Sequence, residues 1–361
     1  MRKKILVIIV ILLLVVFGKV AITTLKLSPF LFQLLFSRDI SLKKVDNRVN
    51  IILLGIAGGT HEGPNLTDTI IFTSIDPKTD KLTLVSIPRD LWIPDIAAKI
   101  NTAYAIGESK RKGGGLILTR AIVSKILNQP IDYSACVNFA GFVKAVNLIG
   151  GLDIAVERAF DDYEYPIEGK ETDTCGHSDE ETNNLATASS QLEAFPCRYM
   201  HLHFDQGTQH LDGETALKFV RSRHAIGEEG SDFARSKRQE KAIAAFKNKV
   251  LSFQTLLNPV KIIGLYSAVS ENIDTDIEQS EFDDFIRLAQ EMKKAKIQSA
   301  VFDYGNKEEN RPGLLINPLV SSDYDNQWVL IPRIGNGNFS EIQKYVECEI
   351  KTGNCSIPKN Q

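Results

Sequence analysis

Apolar positions along this chain follow two periods. Near-continuous branched runs at NIILLGI (50–56), DTIIFTSID (68–76) and KLTLVSI (81–87) predict strands, the last two joined by a turn through Pro77 and Asp80. A helical period follows in LILTRAIVSKIL (116–127), FAGFVKAVNLI (139–149), ETALKFVRSR (214–223) and from Asp232 to about Phe253, with short strands around Tyr133 and Leu152. Past Ser270 the pattern predicts another helix in QSEFDDFIRLAQEMKKA, a strand in IQSAVF and a further strand in WVLIPRIG. Strands alternating with helices indicate a layered α/β domain. No internal repeat or low-complexity tract interrupts the pattern.

The first segment is of another kind. Arg2, Lys3 and Lys4 precede an unbroken apolar or glycine run from Ile5 to Gly18. That run is short of the roughly 20 residues a span needs, but Val20, Ala21 and Ile22 extend it while the Lys19 stem snorkels. The expectation is a cytoplasmic N-terminus at 1–4, a transmembrane anchor at 5–22, a juxtamembrane linker at 23–48 and the rest of the chain outside. The alternative is a cleaved signal peptide, for which no small-x-small site precedes a polar mature start. SPFLFQLLF (28–36) is too short to cross, and either lies along the membrane surface or packs on the domain.

With 361 residues, 43% hydrophobic and 24% charged, the chain is long enough for one large domain or two ordinary ones. A net charge of -3 argues against general nucleic-acid binding, so any anion preference must come from local clustering. Such a cluster exists in VRSRHAIGEEGSDFARSKRQEK, which carries Arg221, Arg223, Arg235 and Arg238. Ser231 is a candidate N-cap, and Arg238 and Gln239 lie three and four residues beyond Arg235, on its helix face. Guanidinium forks match phosphate oxygens, and a helix N-terminus adds to the same field. The plain alternative is a solvated face paired to Glu228, Glu229 and Glu240.

Three shorter stretches carry chemistry or a bland equivalent. In SIPRDLW, Arg89 and Asp90 follow a strand end, where ligand groups gather in open α/β sheets, or else they pair with each other in a turn. In LTDTI, Asp68 either ligates Mg²⁺ or ends a loop on nearby backbone. In KINTAYA, Lys99 either meets a phosphate or is solvated, and Tyr104 suits the core. Cys175 with Cys197 and Cys348 with Cys355 flank polar stretches and fit loop-stapling disulfides in an exported protein, which leaves Cys136 as a buried thiol. There is no GxxxxGK[ST], GxSxG or HExxH, and His201 and His203 show only alternation on a candidate strand.

In order, LLGI, LTDTI, SIPRDLW, KINTAYA, NFAGFVKAVNLIGGLDI, LDGETALKFVRSRH and SDFARSKRQEK resemble the LytR-CpsA-Psr family of bacterial envelope transferases, from about Asn50 to Lys249 with family-like segments to about Tyr345. The resemblance implies a membrane-anchored protein with a three-layer α/β/α extracytoplasmic domain and a mixed sheet. It places the catalytic domain at 49–347, with an insertion at about 163–200 and a C-terminal tail at 348–361. Its implied activity is phosphotransfer of a glycopolymer from a polyprenyl pyrophosphate carrier to a cell-wall hydroxyl, usually on peptidoglycan. A phosphatase acting on the same lipid and a non-catalytic lipid- or wall-binding module are the alternatives. By the same resemblance Arg89, Arg221, Arg223 and Arg235 bind the pyrophosphate and Gln239 supports it, while Lys99 and Arg238, read from their own stretches, are further candidate substrate ligands. Asp68 ligates Mg²⁺, and Asp90 and Asp232 orient arginines or help activate the acceptor. The departure is Ala57 in LLGIAGG, where the family commonly has an aspartate; His61, Glu62 or substrate oxygens are the candidate replacements.

Overall fold

In the computed structural model, which describes residues 40–59, 63–188, 190–250, 272–302, 312–353 and 355–357 with positions 252, 255, 264, 265, 304 and 305 between them, the predicted sheet is present. β1 (Val49–Ile56) is buried at nearly every position, as a strand covered on both faces must be. β2 (Thr67–Asp76) and β3 (Lys81–Ser86) form an antiparallel hairpin with it. The Asp76 carboxylate holds their turn by accepting from the Lys78 amide at 3.0 Å and the Thr79 hydroxyl at 2.8 Å. The small β4 (Trp92–Ile93) and β5 (Ala98–Lys99) then pair with each other.

Helices α1 (Ala103–Lys110) and α2 (Gly114–Leu127) follow, and α1 is an element the periodicity did not predict. Its pattern is weak because it meets α2 backbone to backbone. A Cβ on Gly115 would sit 2.7 Å from the Tyr104 ring, so glycine is required there. Next come β6 (Tyr133–Asn138), α3 (Phe139–Ile149), β7 (Leu152–Val156) and β8 (Phe160–Pro166). The expected insertion holds two short helices, α4 (Asp179–Leu185) and α5 (Gln191–Ala194), and leads to β9 (Tyr199–Phe204), which pairs antiparallel with β8. β10 (Gly207–Leu211) pairs with β7, and α6 (Gly213–Arg221) and α7 (Asp232–Val250) follow. The C-terminal part contains β11 (Ile273–Thr275), α8 (Phe282–Glu291), β12 (Lys296–Val301), the β13 (Leu315–Ile316) and β14 (Ile331–Pro332) pair, and α9 (Ser340–Lys351). The strand expected in WVLIPRIG thus shrinks to β14, outside the main sheet.

The six-stranded sheet runs β11-β6-β1-β2-β3-β12 and is mixed: β1 is parallel to β6, β3 is parallel to β12, and the other neighbours are antiparallel. On one face Ile52, Leu54, Phe72 and Val85 pack with Ile122, Val123 and Ile126 of α2 and Val346 of α9. Thr69 and Ser299 alternate with residues of that face and therefore point to the other, where α7 lies across them. Gln239 donates to Thr69 at 3.3 Å, and Ser299 donates to Glu240 at 2.5 Å. A second apolar core joins α3, α6 and α7 to β7, β8 and β9 around Phe160, Phe204 and Phe219.

The chain divides into two compact units, one holding the described residues 40–42 with Ile277–Glu291 and the other Lys43–Asp276 with Met292–Gln361. Within the first, the Asp284 carboxylate accepts the Ser41 amide at 3.1 Å, and Arg287 pairs with Asp283 at 2.9 Å. Disulfides join Cys175 to Cys197 and Cys348 to Cys355, and Cys136 is a buried thiol, as expected. Among the described residues no helix is long and apolar enough to cross a membrane; the anchor expected at 5–22 lies outside them.

Candidate functional site

The hairpin register assembles the site. β2 and β3 pair Ile71 with Ser86, and the Ile87 amide continues the ladder to the Ile70 carbonyl at 2.9 Å. Carried on, the same register puts Asp68 opposite Arg89, and their side chains form an ion pair. Asp68 also sits at an irregularity: β1 pairs Gly55 with Thr69 but Ile56 with Thr67, so Asp68 is the extra residue of a bulge, which re-aims its side chain. The ends of the parallel strands β1, β6, β3 and β12 meet the start of β2 at this one edge, where polar ligands bind in open α/β sheets.

Asp90 is the hub of the charges. Its carboxylate lies 3.0 Å from Lys99 Nζ, 3.5 Å from Arg89 Nε and 4.0 Å from an Arg223 guanidinium nitrogen. The β4–β5 pairing delivers Lys99, and the Asn101 amide, donating to the Arg89 carbonyl at 3.2 Å, ties that hairpin to the Arg89 loop. Arg235 and Gln239, one turn apart on α7, line a small cavity with Asp68, Thr69, Ser86 and Pro88. The Asp68–Arg89 pair is about a third exposed on each side, so as a stability element it contributes roughly 0–1 kcal/mol. Its arrangement makes more sense as a cationic field with two carboxylates holding its geometry.

Arg221 stands by the end of β6, where the Phe139 amide donates to the Ala57 carbonyl just past β1 at 3.4 Å. Arg221 ends α6, places its guanidinium 4.0 Å from the Phe139 ring and donates to the Tyr165 hydroxyl at 3.2 Å. Burial raises the Tyr165 pKa, so the phenol stays neutral beside it. Asp232 begins α7, and its side chain, like His61 and Glu62, lies outside the described residues.

Arg238 corrects the sequence reading. It is 3% exposed, and its donors are taken up by the carbonyls of Phe219 at 3.1 Å and Ser222 at 2.7 Å and by the Glu229 carboxylate at 3.0 Å. Burial lowers its pKa to about 10, which still leaves it charged at neutral pH. The reason is angular: at about 100° per residue, Arg238 lies about 60° from Arg235 in one direction and Gln239 about 40° in the other. Arg235 and Gln239 therefore face the sheet edge, while Arg238 turns under α6 and works as a packing residue.

Asp162 was missed. It is fully buried on β8, and its Oδ2 accepts from the Ser222 hydroxyl at 2.6 Å and the amides of Arg223 at 3.2 Å and His224 at 3.3 Å. These bonds capture the chain as it leaves α6, which ends at Arg221 rather than Arg223; Ser222 is already extended, with ψ 129°. Arg223 thus projects from a clamped loop, not from a helix. The only sequence signal was an aspartate pair in AFDDYEYP, with nothing to mark either member.

A profile described as the LytR_cpsA_psr family matches residues 32–316. A polyisoprenyl-teichoic acid–peptidoglycan teichoic acid transferase TagU of Enterococcus faecalis is 29% identical over 253 residues, covering 68% of this chain and 66% of the relative. The protein of the same name from Bacillus cereus is 29% identical over 241 residues, covering 65% and 62%. The matched part is thus less than two thirds of either relative's length. Among solved structures, B. subtilis TagV superposes with a TM-score of 0.54 at 24% identity, covering 87% of this chain and all of the other, a likeness of fold.

Proposed function

The chain belongs to the LytR-CpsA-Psr family, and on that footing we propose that it moves a glycopolymer from a polyprenyl pyrophosphate carrier to a cell-wall hydroxyl, with peptidoglycan as the acceptor. The names of its TagU relatives pair a polyisoprenyl-linked donor with a peptidoglycan acceptor, and that pairing supports the reading. The observation that carries it is the cluster of Arg89, Lys99 and Arg223 around Asp90, beside Asp68, Arg235 and Gln239 at one sheet edge. A pyrophosphate is a compact polyanion, and several cations converging on one point are its natural counterpart.

In this reading the acceptor hydroxyl oxygen attacks the sugar-proximal phosphorus while its proton passes to the activating carboxylate, the bond to the bridging oxygen breaks, and polyprenyl phosphate leaves with the charge. Arg89, Arg223 and Arg235 stabilise that charge as it develops, and Gln239 orients the bound phosphate. Arg221, set over Phe139, serves the glycan-side phosphate. Asp90 and Asp232 are the carboxylates that orient arginines or activate the acceptor; three cationic neighbours suit Asp90 to orienting. No covalent nucleophile is needed.

A bound Mg²⁺ would add counter-charge to the pyrophosphate. One half-buried carboxylate, Asp68, fits such an ion only together with substrate oxygens and water, which is a usual way for Mg²⁺ to bind. The protein works at the outer face of the membrane, held by residues 5–22.

The test is incubation with a polyprenyl pyrophosphate-linked glycan and peptidoglycan. Glycan joined to peptidoglycan through a phosphodiester supports the reading. Free phosphorylated glycan would make the protein a phosphatase, and donor binding without turnover would make it a binding module.

A further inference from the structure

The outward face of the β8–β9 hairpin carries a second constellation, separate from the cationic cluster. Asp161 on β8 pairs in register with His203 on β9, and His201 lies two residues along the same strand, so all three side chains share one face. His201 Nε2 and His203 Nδ1 converge on one oxygen, Asp161 Oδ1, at 2.7 and 2.8 Å. One ligating atom from each residue lies within 4.8 Å of the other two.

The supports of these groups resemble those of a metal site. Asp205 reaches the other ring nitrogen of His203 at 3.2 Å, the kind of outer carboxylate that orients a metal-bound imidazole. The Tyr163 ring stacks on His201 at 4.2 Å and 4°, which sets the plane of that imidazole. The inner face of the hairpin is packed, with Phe160 stacked on Phe204 at 5.1 Å, and the Cys175–Cys197 bridge closes the loop between the strands. The donor atoms therefore stand on a braced sheet, not on a free loop.

We propose that Asp161, His201 and His203 form a site for a borderline divalent ion of the zinc class, with a fourth position open to water or an outside ligand. Two imidazole nitrogens and one carboxylate are a poor set for Mg²⁺ or Ca²⁺, which take oxygen, and a good set for Zn²⁺. Three protein ligands with one open position distinguish it from a closed structural zinc site.

The test uses the full-length, untagged protein in detergent, stripped with chelator and titrated with Zn²⁺ by calorimetry. One equivalent should bind, Mg²⁺ should not compete, and Co²⁺ in its place should give a four-coordinate visible spectrum. His201→Gln combined with His203→Gln should abolish binding, Asp205→Asn should weaken it about 10–100-fold, and His210→Gln, on another strand, should leave it unchanged. Circular dichroism of each chelated variant checks that the hairpin still folds. Absence of Zn²⁺ binding to wild type would overturn the site, as would full binding in the folded double variant.

Discussion

Asp162 holds Ser222 by a 2.6 Å hydrogen bond that joins the inner face of strand β8 to the first residue beyond α6. The same carboxylate oxygen takes the amides of Arg223 and His224, so one buried group sets where the helix stops and where Arg223 begins. Asp162→Asn, similar in shape but a weaker acceptor, should lower transfer about tenfold and cost about 1–3 kcal/mol of stability. Ser222→Ala should do less. Linkage rates and denaturant midpoints on the same preparations check this, and unchanged kinetics in Asp162→Asn would show that the clamp does not position Arg223.

Arg89→Lys and Arg223→Lys keep the charge and lose the planar fork. Each should reduce the transfer rate on the order of 10²-fold if the forks stabilise charge at the phosphorus. Near wild-type rates in both would move the phosphate site elsewhere.

Transfer should depend on a divalent cation, with weak metal affinity in the absence of donor, because Ala57 supplies no carboxylate beside Asp68. Titrating Mg²⁺ or Mn²⁺ into wild type, Ala57→Asp and Asp68→Ala, with and without a polyprenyl pyrophosphate, checks this. Ala57→Asp should tighten binding and Asp68→Ala should lose it. Metal-independent transfer would leave the charge to the arginines alone.

Arg238→Met should act on stability, not on donor affinity. Glu229 would lose its partner, and the Phe219 and Ser222 carbonyls would lose their donors. The two carbonyls left without donors make the expected cost about 1–3 kcal/mol, with the partly exposed Glu229 carboxylate taken up by water. The denaturant midpoint should fall while the folded fraction binds donor with unchanged Kd; a selective loss of affinity would return Arg238 to the site.

Cys136 should resist thiol reagents in the folded protein and react in denaturant. Burial, helped by the Asp274 charge, pushes its pKa to about 12. The folded thiol keeps its proton above the ordinary value of 9.0, so its contribution to stability should fall as pH rises from about 9 to 12. Alkylation of the native chain at pH 8, read by mass, would contradict the burial.

Much of this was legible because it is local. The branched run of β1, the period of α2 and α3 and the turn at Asp76 are patterns within a few residues, and the structure returns them with small shifts. α1 was illegible because its helical state rests on a glycine contact with α2 rather than on an apolar stripe of its own.

The sequence by itself determined which side chains bear charge and which of the long central segments become strands and helices, since residue type gives the first and local pattern the second. Tertiary structure alone decided which of them meet. Asp68 faces Arg89 through the register of a hairpin and a bulge, neither of which marks its own residues. Arg238 left the site because its helix is packed under α6, and Asp162 entered the account because strand alternation turned it inward while turning Asp161 out towards His201 and His203. Periodicity assigns a residue to a face; only packing determines what that face meets.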